Sequence, residues 1–209
     1  MQRGKFITLE GGEGAGKSTQ AARLVEALRA RGLEVVRTRE PGGSPGAEAI
    51  RALVVSGDHD SWSGRTELLL MYAARSDHLE RTIRPALEAG KWVVCDRFAD
   101  SSRVYQGAGG GVDPALIEAV DAAVVGTDQP DLTLIFDLPV EVGLKRALAR
   151  GEGETRFESK GADYHRRLRD GFAAVARDHP ERCVTIDASG DADAVAARVR
   201  AVVEARLLS

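Results

Sequence analysis

The chain has 209 residues and a formal net charge of −3, so we expect one domain with a substantial core, whose main partner is neither nucleic acid nor an anionic membrane. Its two cysteines, Cys95 and Cys183, are far apart and form no CxxC elements. This excludes a disulfide framework or a structural zinc site and predicts two buried strand residues. Without a signal peptide or a long apolar run, the sequence predicts a cytoplasmic protein.

Short apolar strands alternate with amphipathic helices along the chain. Strands are predicted at residues 5–10, 33–38, 91–96, 132–137 and 182–187, and helices at residues 17–31, 45–56, 65–89, 114–125, 140–150, 162–179 and 191–207. This order predicts an α/β fold, a five-stranded parallel sheet flanked by helices, in a single domain over residues 1–209. Ligands of such a sheet bind beyond the carboxyl ends of its strands.

A glycine-rich turn joins the first predicted strand to the first predicted helix. Residues 11–18, GGEGAGKS, fit the pattern G-x-x-x-x-G-K-[ST] at every required position. Glycines let backbone N–H groups converge on polyphosphate oxygens, and the helix N-terminus adds partial positive charge. Lys17 would reach the β- and γ-phosphates of a nucleoside triphosphate, and the Ser18 hydroxyl would ligate Mg²⁺. The alternative, a glycine-rich turn with a surface lysine, is disfavoured by the flanking strand and helix.

Asp96 and Arg97 end the third predicted strand, where the sheet rule places a ligand. An acid at this position is the expected partner of the metal bound at Ser18. The planar, permanently charged guanidinium of Arg97 would suit the phosphate of an acceptor molecule. The alternative is an ion pair on the surface.

Three glycine-rich or charged segments are predicted as loops, at residues 39–43, 106–111 and 150–161. The last lies between two predicted helices and carries Arg150 and Arg156. It is either a solvated helix connection or a lid that brings arginines onto a transferring phosphate. The phosphate loop in the same chain favours the lid.

Met71 and Arg75 lie four residues apart on the long predicted helix 65–89, and therefore on one face. A flat ligand could lie against Met71 while Arg75 bonds to its edge. The alternative is that Met71 is an ordinary core residue.

In chain order, these motifs resemble the bacterial thymidylate kinases over essentially the whole sequence. The segments that carry the resemblance are residues 10–19, 38–43, 72–75, 96–98, 101–107, 130–134 and 141–147. The resemblance implies transfer of the γ-phosphoryl group of ATP to dTMP, forming dTDP for dTTP biosynthesis. It also implies Mg²⁺ as cofactor and a homodimer.

The resemblance further implies roles for individual residues. In the acceptor site, Arg97 and Arg51 grip the dTMP phosphate, Arg75 bonds a thymine carbonyl, and Tyr105 fills the space of a ribose 2′-hydroxyl. The predicted dTMP site comprises Glu13, Glu40, Arg51, Met71, Arg75, Arg97, Ser101, Ser102, Tyr105 and Gln106. The predicted ATP site comprises Gly11, Gly12, Glu13, Gly14, Ala15, Gly16, Lys17, Ser18, Thr19 and Arg146, with Arg146 against adenine, and the metal ligands are Ser18 and Asp96. The predicted catalytic residues are Lys17, Arg97, Arg156, Arg150 and Glu13.

The sequence departs from the family pattern at three places. Met71 replaces the aromatic residue that usually stacks on thymine, although its thioether can still cover a ring. Gly110 replaces an arginine, for which we expect Arg103 to compensate. Thr155 replaces the acid that usually precedes the lid arginine. In the family that the sequence resembles, a catalytic arginine comes from either the phosphate loop or the lid. The phosphate loop of this sequence contains no arginine, so the resemblance implies that the lid arginines meet the charge of the transition state.

Two other functions are alternatives for a chain with a phosphate loop: a deoxynucleoside kinase and a nucleotide-driven switch or partitioning ATPase. A deoxynucleoside kinase would need a general base beside a neutral 5′-hydroxyl, whereas the arginines of this chain suit an acceptor that already carries a phosphate. A nucleotide-driven switch or partitioning ATPase would need a positioned attacking water and switch loops, and would have no use for an acceptor pocket.

Overall fold

The computed structural model describes residues 3–56, 61–150 and 160–208. Their centre is a five-stranded, all-parallel sheet in the order β2-β3-β1-β4-β5. The strands are β1 (Phe6–Gly11), β2 (Val35–Arg39), β3 (Trp92–Asp96), β4 (Leu132–Asp137) and β5 (Cys183–Asp187). Each predicted strand is therefore present, and its ends shift by no more than two residues. The predicted fold class is confirmed.

Helices cover both faces of the sheet. They are α1 (Lys17–Ala30), α2 (Pro45–Val55), α3 (Gly64–His78), α4 (Arg84–Glu88), α5 (Ala99–Ser102), α6 (Pro114–Val124), α7 (Val140–Arg150), α8 (Ala162–Asp178) and α9 (Ala192–Val203). π-Helical turns join α3 to α4 (Leu79–Ile83), follow α5 (Arg103–Gly109) and follow α9 (Glu204–Leu208). In the described part of the chain, no helix has the length and apolarity needed to cross a bilayer.

Alternate residues of the central strands feed two different cores, because successive side chains of a strand point to opposite faces. Ile7 and Leu9 of β1 pack with α1 and α9, whereas Phe6 packs on the other face with α3 and the turn after β3. A third cluster joins α8 to the helical segment after α5. Cys95 and Cys183 are buried in β3 and β5, as predicted.

The prediction of a loop at residues 106–111 was wrong for its first part, because the helical backbone continues to Gly109. Gly109 serves close packing, whereas Gly111, with φ +71° and no described atom within 4 Å of a Cβ placed there, serves the turn that ends the segment. A Cβ atom at Gly109 would lie 2.8 Å from side-chain atoms of Leu168 and Tyr164 on α8. From α8, a Cβ at Gly171 would lie 3.2 Å from Val104. Glycine at these positions lets the two helical segments approach closely.

The phosphate-loop segment, residues 11–16, makes backbone contact with the first turn of α7. Gly14 is left-handed, with φ +69°, and a Cβ atom there would lie 2.0 Å from the carbonyl oxygen of Gly143. A Cβ atom on Gly143 would lie 2.5 Å from the carbonyl oxygen of Glu13. The loop and α7, the helix that leads to residues 151–159, therefore touch without intervening side chains.

Replacing Gly143 by Ala should destabilise the protein by about 1–3 kcal/mol, because its methyl group would overlap a backbone oxygen that no rotamer change can move. This net loss already includes the gain in helix propensity, about 1 kcal/mol, that alanine brings relative to glycine. The measurement is urea unfolding of the ligand-free protein. Gly161→Ala is the matched control, since Gly161 has φ −61° and nothing described within 4 Å; as the N-cap residue of α8 it should cost only about 0.5–1 kcal/mol when replaced by alanine. Equal stabilities of the two variants would contradict the contact.

Candidate active site

Lys17 directly follows the phosphate-loop segment, at the first position of α1. The helix begins directly after Gly16, whose left-handed backbone, φ 86°, a non-glycine residue would adopt only at a cost. The Nζ atom of Lys17 donates to the carbonyl oxygens of Gly11 at 3.1 Å and Gly12 at 2.8 Å. Burial lowers the pKa of Lys17 to about 8, and the charge of Arg97 acts in the same direction. A phosphate oxygen would be a stronger partner for this ammonium group than two uncharged carbonyls.

Ser18 and Asp96 meet at the carboxyl edge of the sheet, as predicted. The Ser18 hydroxyl donates to Oδ2 of Asp96 at 2.5 Å. Asp96 is in register with Leu9 and Arg39, so it ends β3 between the two neighbouring strands. Together with Arg37, Thr38, Arg39, Gly43 and Thr82, these two residues line an open hollow of about 580 Å³. Within the described residues no cluster of three acidic, His or Cys ligands exists, so a cation here would need further oxygens from a bound nucleotide or water.

Glu13, Arg97 and Tyr105 form one connected group between the phosphate loop and the turn after β3. Oε1 of Glu13 accepts hydrogen bonds from Nη2 of Arg97 at 2.8 Å and from the Tyr105 hydroxyl at 2.6 Å. The Arg97 guanidinium also donates to the Gly11 carbonyl oxygen at 3.0 Å and lies 4.8 Å from the centre of the Tyr105 ring. Although burial alone would raise the pKa of Glu13, the charges of Arg97 and Lys17 hold it at about 2. This carboxyl group is therefore a stable anion.

Arg97 itself has a left-handed backbone, with φ 68°, which is uncommon for a residue with a side chain. Its amide donates to the Leu9 carbonyl oxygen at 3.0 Å, which continues the β1–β3 ladder past the end of β3. The bend that follows directs the side chain back across the phosphate-loop segment. Such strain is tolerated where the surrounding contacts fix it. Here the Arg97 side chain bonds to the Gly11 carbonyl oxygen, the Ser101 hydroxyl and the Glu13 carboxylate.

A pocket opens beside Arg97 and Glu13. It is lined by Glu13, Glu40, Pro41, Met71, Arg75, Arg97, Phe98, Ser101, Ser102, Tyr105 and Gln106. Every residue of the predicted acceptor site except Arg51 therefore lies in this lining. The residues come from four separate parts of the chain, which the sheet edge brings together. We call this the acceptor pocket.

Met71, rather than its neighbour Tyr72, faces the acceptor pocket. Tyr72 is buried in the core beneath α3, and its hydroxyl donates to Asp121 on α6 at 3.0 Å. The aromatic residue of this segment thus serves the core, and the thioether of Met71 forms the pocket wall.

Arg75 is held from several sides although it is almost completely buried. Its Nε donates to Glu40 at 2.8 Å, its two terminal nitrogens lie 3.2 Å from the Ser102 hydroxyl, and Nη2 also donates to the Phe98 carbonyl oxygen at 3.0 Å. Burial opposes its charge, but the Glu40 carboxylate more than compensates and raises the pKa of Arg75. Glu40, predicted as a ligand contact, thus also fixes the arginine beside it.

Glu10 is a fully buried acid at the end of β1 that the sequence analysis did not assign to the site. It accepts bonds from the Phe98 amide at 2.8 Å, the Ser101 amide at 3.2 Å and the Ser101 hydroxyl at 2.6 Å. Burial and the nearby Asp100 carboxylate raise the pKa of Glu10 to about 7. It fixes the start of α5, which carries Ser101 and Ser102 into the acceptor pocket. An acid ending an otherwise apolar strand was the available signal.

Arg51 and Arg146 lie outside the linings of the hollow and the pocket. Arg51 donates to the Pro41 carbonyl oxygen at 2.5 Å, in the loop that carries Glu40. Arg146 on α7 donates to the Gly190 carbonyl oxygen at 3.3 Å, in the connection after β5. Arg146 is thus placed beside the loop that precedes α9, and the first residue of α9, Ala192, accepts a hydrogen bond from Gln20 of α1 at 2.9 Å.

Arg103 does not replace the arginine that is missing at Gly110, so that expectation was wrong. Its guanidinium bonds to Glu118 at 2.8 Å, Asp121 at 2.9 Å and Asp100 at 3.2 Å. Two of these acids belong to α6, which draws the side chain away from the acceptor pocket. The lid residues Arg156 and Thr155, and the side chain of Arg150, lie outside the described residues.

Three comparisons with known proteins agree with this geometry. A family model described as thymidylate kinase matches residues 9–199. A thymidylate kinase from Caulobacter vibrioides is 60% identical over 207 residues, which cover 99% of this chain and 99% of that protein. One from a Jannaschia species is 56% identical over 202 residues, 97% of each. The crystal structure of thymidylate kinase from Ehrlichia chaffeensis superposes with a TM-score of 0.78 at 32% identity, covering 96% of this chain and 99% of that one.

Glu13→Gln should reduce the amount of unfolding free energy that the protein loses as the pH falls. Because the folded-state pKa of Glu13, about 2, lies below its ordinary value of 4.5, its charge contributes stability above pH 4.5 that is lost as the pH falls towards 2. Wild type should therefore lose roughly 3 kcal/mol more unfolding free energy than the variant over that window. Urea unfolding at a series of pH values measures the difference. Glu26→Gln, at an exposed position on α1, should follow wild type; parallel curves for Glu13→Gln and wild type would refute the prediction.

Proposed function

The chain belongs to the thymidylate kinase family and phosphorylates dTMP to dTDP with ATP, a step of dTTP biosynthesis, and we propose how its residues divide that task. The observation that carries the proposal is the junction of two phosphate-binding elements. Lys17 of the phosphate loop and Arg97 after β3 both lie near the Glu13 carboxylate, and Arg97 bonds to it directly. A donor phosphate on the first and an acceptor phosphate on the second would be neighbours.

We assign dTMP to the acceptor pocket. Arg97, at its boundary with the phosphate loop, takes the phosphate, because a guanidinium offers paired donors to phosphate oxygens. Arg75 and Ser102 supply polar atoms for the thymine edge, and Met71 supplies an apolar wall for the ring. Tyr105, held by Glu13, lies between these two ends, where the sugar must pass. This placement supports selection of deoxyribose by steric exclusion.

ATP is assigned to the phosphate loop, with Mg²⁺ beside it. The residues fit this cation, because a hydroxyl and a carboxylate oxygen converge at Ser18 and Asp96, and Mg²⁺ prefers a few such oxygens together with phosphates and waters. Bound there, the ion would neutralise charge on the phosphate oxygens. Arg146 and the loop after β5 form the proposed edge for adenine.

Charge in the transition state is proposed to be met by Lys17, Arg97 and the lid arginines. The low-dielectric surroundings of Lys17 strengthen its action on developing phosphate charge, and Arg97 is partly buried and held by the Gly11 carbonyl oxygen and Glu13. Because the phosphate loop carries no arginine, Arg150 and Arg156 are assigned the remaining task, in a lid near residues 150–161. This part of the proposal rests on the sequence alone.

We also propose a cytoplasmic homodimer. Leu53 on α2 and Leu69 on α3 are 52% and 50% exposed, on two helices that pack together. On the neighbouring α6, Leu116, Val120 and Val124 recur every four residues and are only partly buried. A second copy could cover this apolar surface through a two-fold axis, since the same patch would then serve both subunits. The two buried free thiols suit a reducing compartment.

The acceptor preference should be dTMP first, dUMP well behind, and UMP very poor. Tyr105 at the sugar and the Met71 wall at the base are the reasons. A coupled assay of ADP formation across the natural monophosphates measures this. Faster phosphorylation of AMP or CMP than of dTMP would refute the assignment of the pocket.

The same assay separates the alternative functions. ATP consumption without dTMP would indicate a switch ATPase, and phosphorylation of thymidine in preference to dTMP would indicate a deoxynucleoside kinase. Neither outcome is compatible with the proposed division of roles.

Arg97→Ala and the double variant Arg150→Ala/Arg156→Ala should differ kinetically. Arg97 contacts a phosphate already present in the ground state, so its loss should raise the KM for dTMP and lower kcat. The lid arginines act mainly in the transition state, so the double variant should lose kcat by a factor on the order of 10³ with little change in that KM. Steady-state kinetics with varied dTMP test this. A near-normal kcat in the double variant would leave Lys17 and Arg97 to carry the charge.

A further inference from the structure

We propose that His78 is a positioning residue for recognition of the acceptor base, acting on Arg75 through Glu40. This inference rests on the proposed role of Arg75. A continuous series of hydrogen bonds runs from Thr38 through His78 and Glu40 to Arg75, and all but Thr38 are buried. It joins the end of β2 to the wall of the acceptor pocket.

Glu40 is the centre of this series, and each of its oxygens has one partner. Oε2 accepts from Nε of Arg75 at 2.8 Å, and Oε1 lies 2.9 Å from Nδ1 of His78. Arg75 and His78 are three residues apart on α3 and therefore share a face. The carboxylate is thus clamped between two side chains of one helix, and Pro41, the next residue, lines the pocket.

His78 is fully buried and uses both ring nitrogens. Because Nδ1 faces a carboxylate, it must carry a proton, and Nε2 meets the Thr38 hydroxyl at 2.7 Å. The backbone closes over this pair, since a Cβ atom at Gly43 would lie 2.4 Å from Nε2 of His78 and 2.3 Å from Oγ1 of Thr38. The ring therefore has a fixed orientation and a fixed donor towards Glu40.

Loss of that donor would affect Arg75. In the described part of the chain, His78 is the only side chain that bonds Oε1 of Glu40. Without it, a buried carboxylate oxygen is left unpaired, which is costly, and the carboxylate would turn to recover a partner. The Nε bond that orients Arg75 would turn with it. Displacement of a recognition group by even 1 Å is enough to weaken a site strongly.

Asparagine and glutamine at position 78 provide the test, because the amide group of each can take the place of one of the two imidazole nitrogens. In His78→Asn the amide nitrogen can take the place of Nδ1 and still donate to Glu40. In His78→Gln it reaches further, towards the Thr38 side, and the donor to Glu40 is lost. We expect His78→Gln to raise the KM for dTMP about tenfold, the effect of one hydrogen bond to a charged group, with the KM for ATP unchanged and kcat reduced less. His78→Asn should recover most of the dTMP affinity.

The same substitutions at His179, a partly exposed histidine at the end of α8, are the controls and should leave both KM values unchanged. Equal effects of Asn and Gln at position 78, or a loss shared equally by dTMP and ATP, would overturn the proposal. If His78→Gln does not fold, Glu40→Gln takes its place, and an unchanged KM for dTMP in that variant would overturn the proposal. Wild-type turnover of dTMP in the same assay tests the proposed function separately, because its absence would refute that function and not the series of hydrogen bonds.

Discussion

The ion pair between Glu13 and Arg97 is the interaction on which the arrangement of the site depends. It joins the loop after β1 to the bend after β3, two neighbouring strands of the sheet. Arg97 has a left-handed backbone to make this contact, and its other side-chain partners are the Gly11 carbonyl oxygen and the Ser101 hydroxyl. One guanidinium thereby joins the phosphate loop to the acceptor pocket.

Around this pair the protein buries several ionisable side chains. Glu10, Lys17, Glu40 and Arg75 are all less than a tenth exposed. Burial of charge costs free energy unless partners compensate, and each of these groups has at least two hydrogen-bonded contacts within the described residues. These partners also hold the buried groups in place before substrate arrives, so the groups need no rearrangement during the reaction.

Close backbone approaches complete the arrangement. The contact between Gly14 and Gly143 brings α7 directly against the phosphate loop. Gly109 and Gly171 likewise let the helical segment Arg103–Gly109 lie against α8. Both helices flank residues 151–159, so the elements that enter and leave the predicted lid are anchored to the two halves of the site. A side chain at any of these glycines would separate elements that the chemistry requires to be adjacent.

The sequence by itself determined the fold class and the place of the phosphate loop, and nearly all of the pocket lining was implied by its resemblance to the thymidylate kinases. The fold class and the loop depend on local patterns: alternation of apolar residues sets strands and helices, and parallel strands bring their carboxyl ends to one edge. The tertiary structure decided which side chains meet. It turned Met71 rather than Tyr72 towards the pocket, drew Arg103 to the acids of α6, and made Glu40 a partner of both Arg75 and His78. It also kept residues 106–109 helical, with Gly107 against Ile117 of α6 and Gly109 against Leu168 and Tyr164 of α8. A polar side chain bonds to whichever group the packing of distant elements places within reach, and no local pattern contains that information.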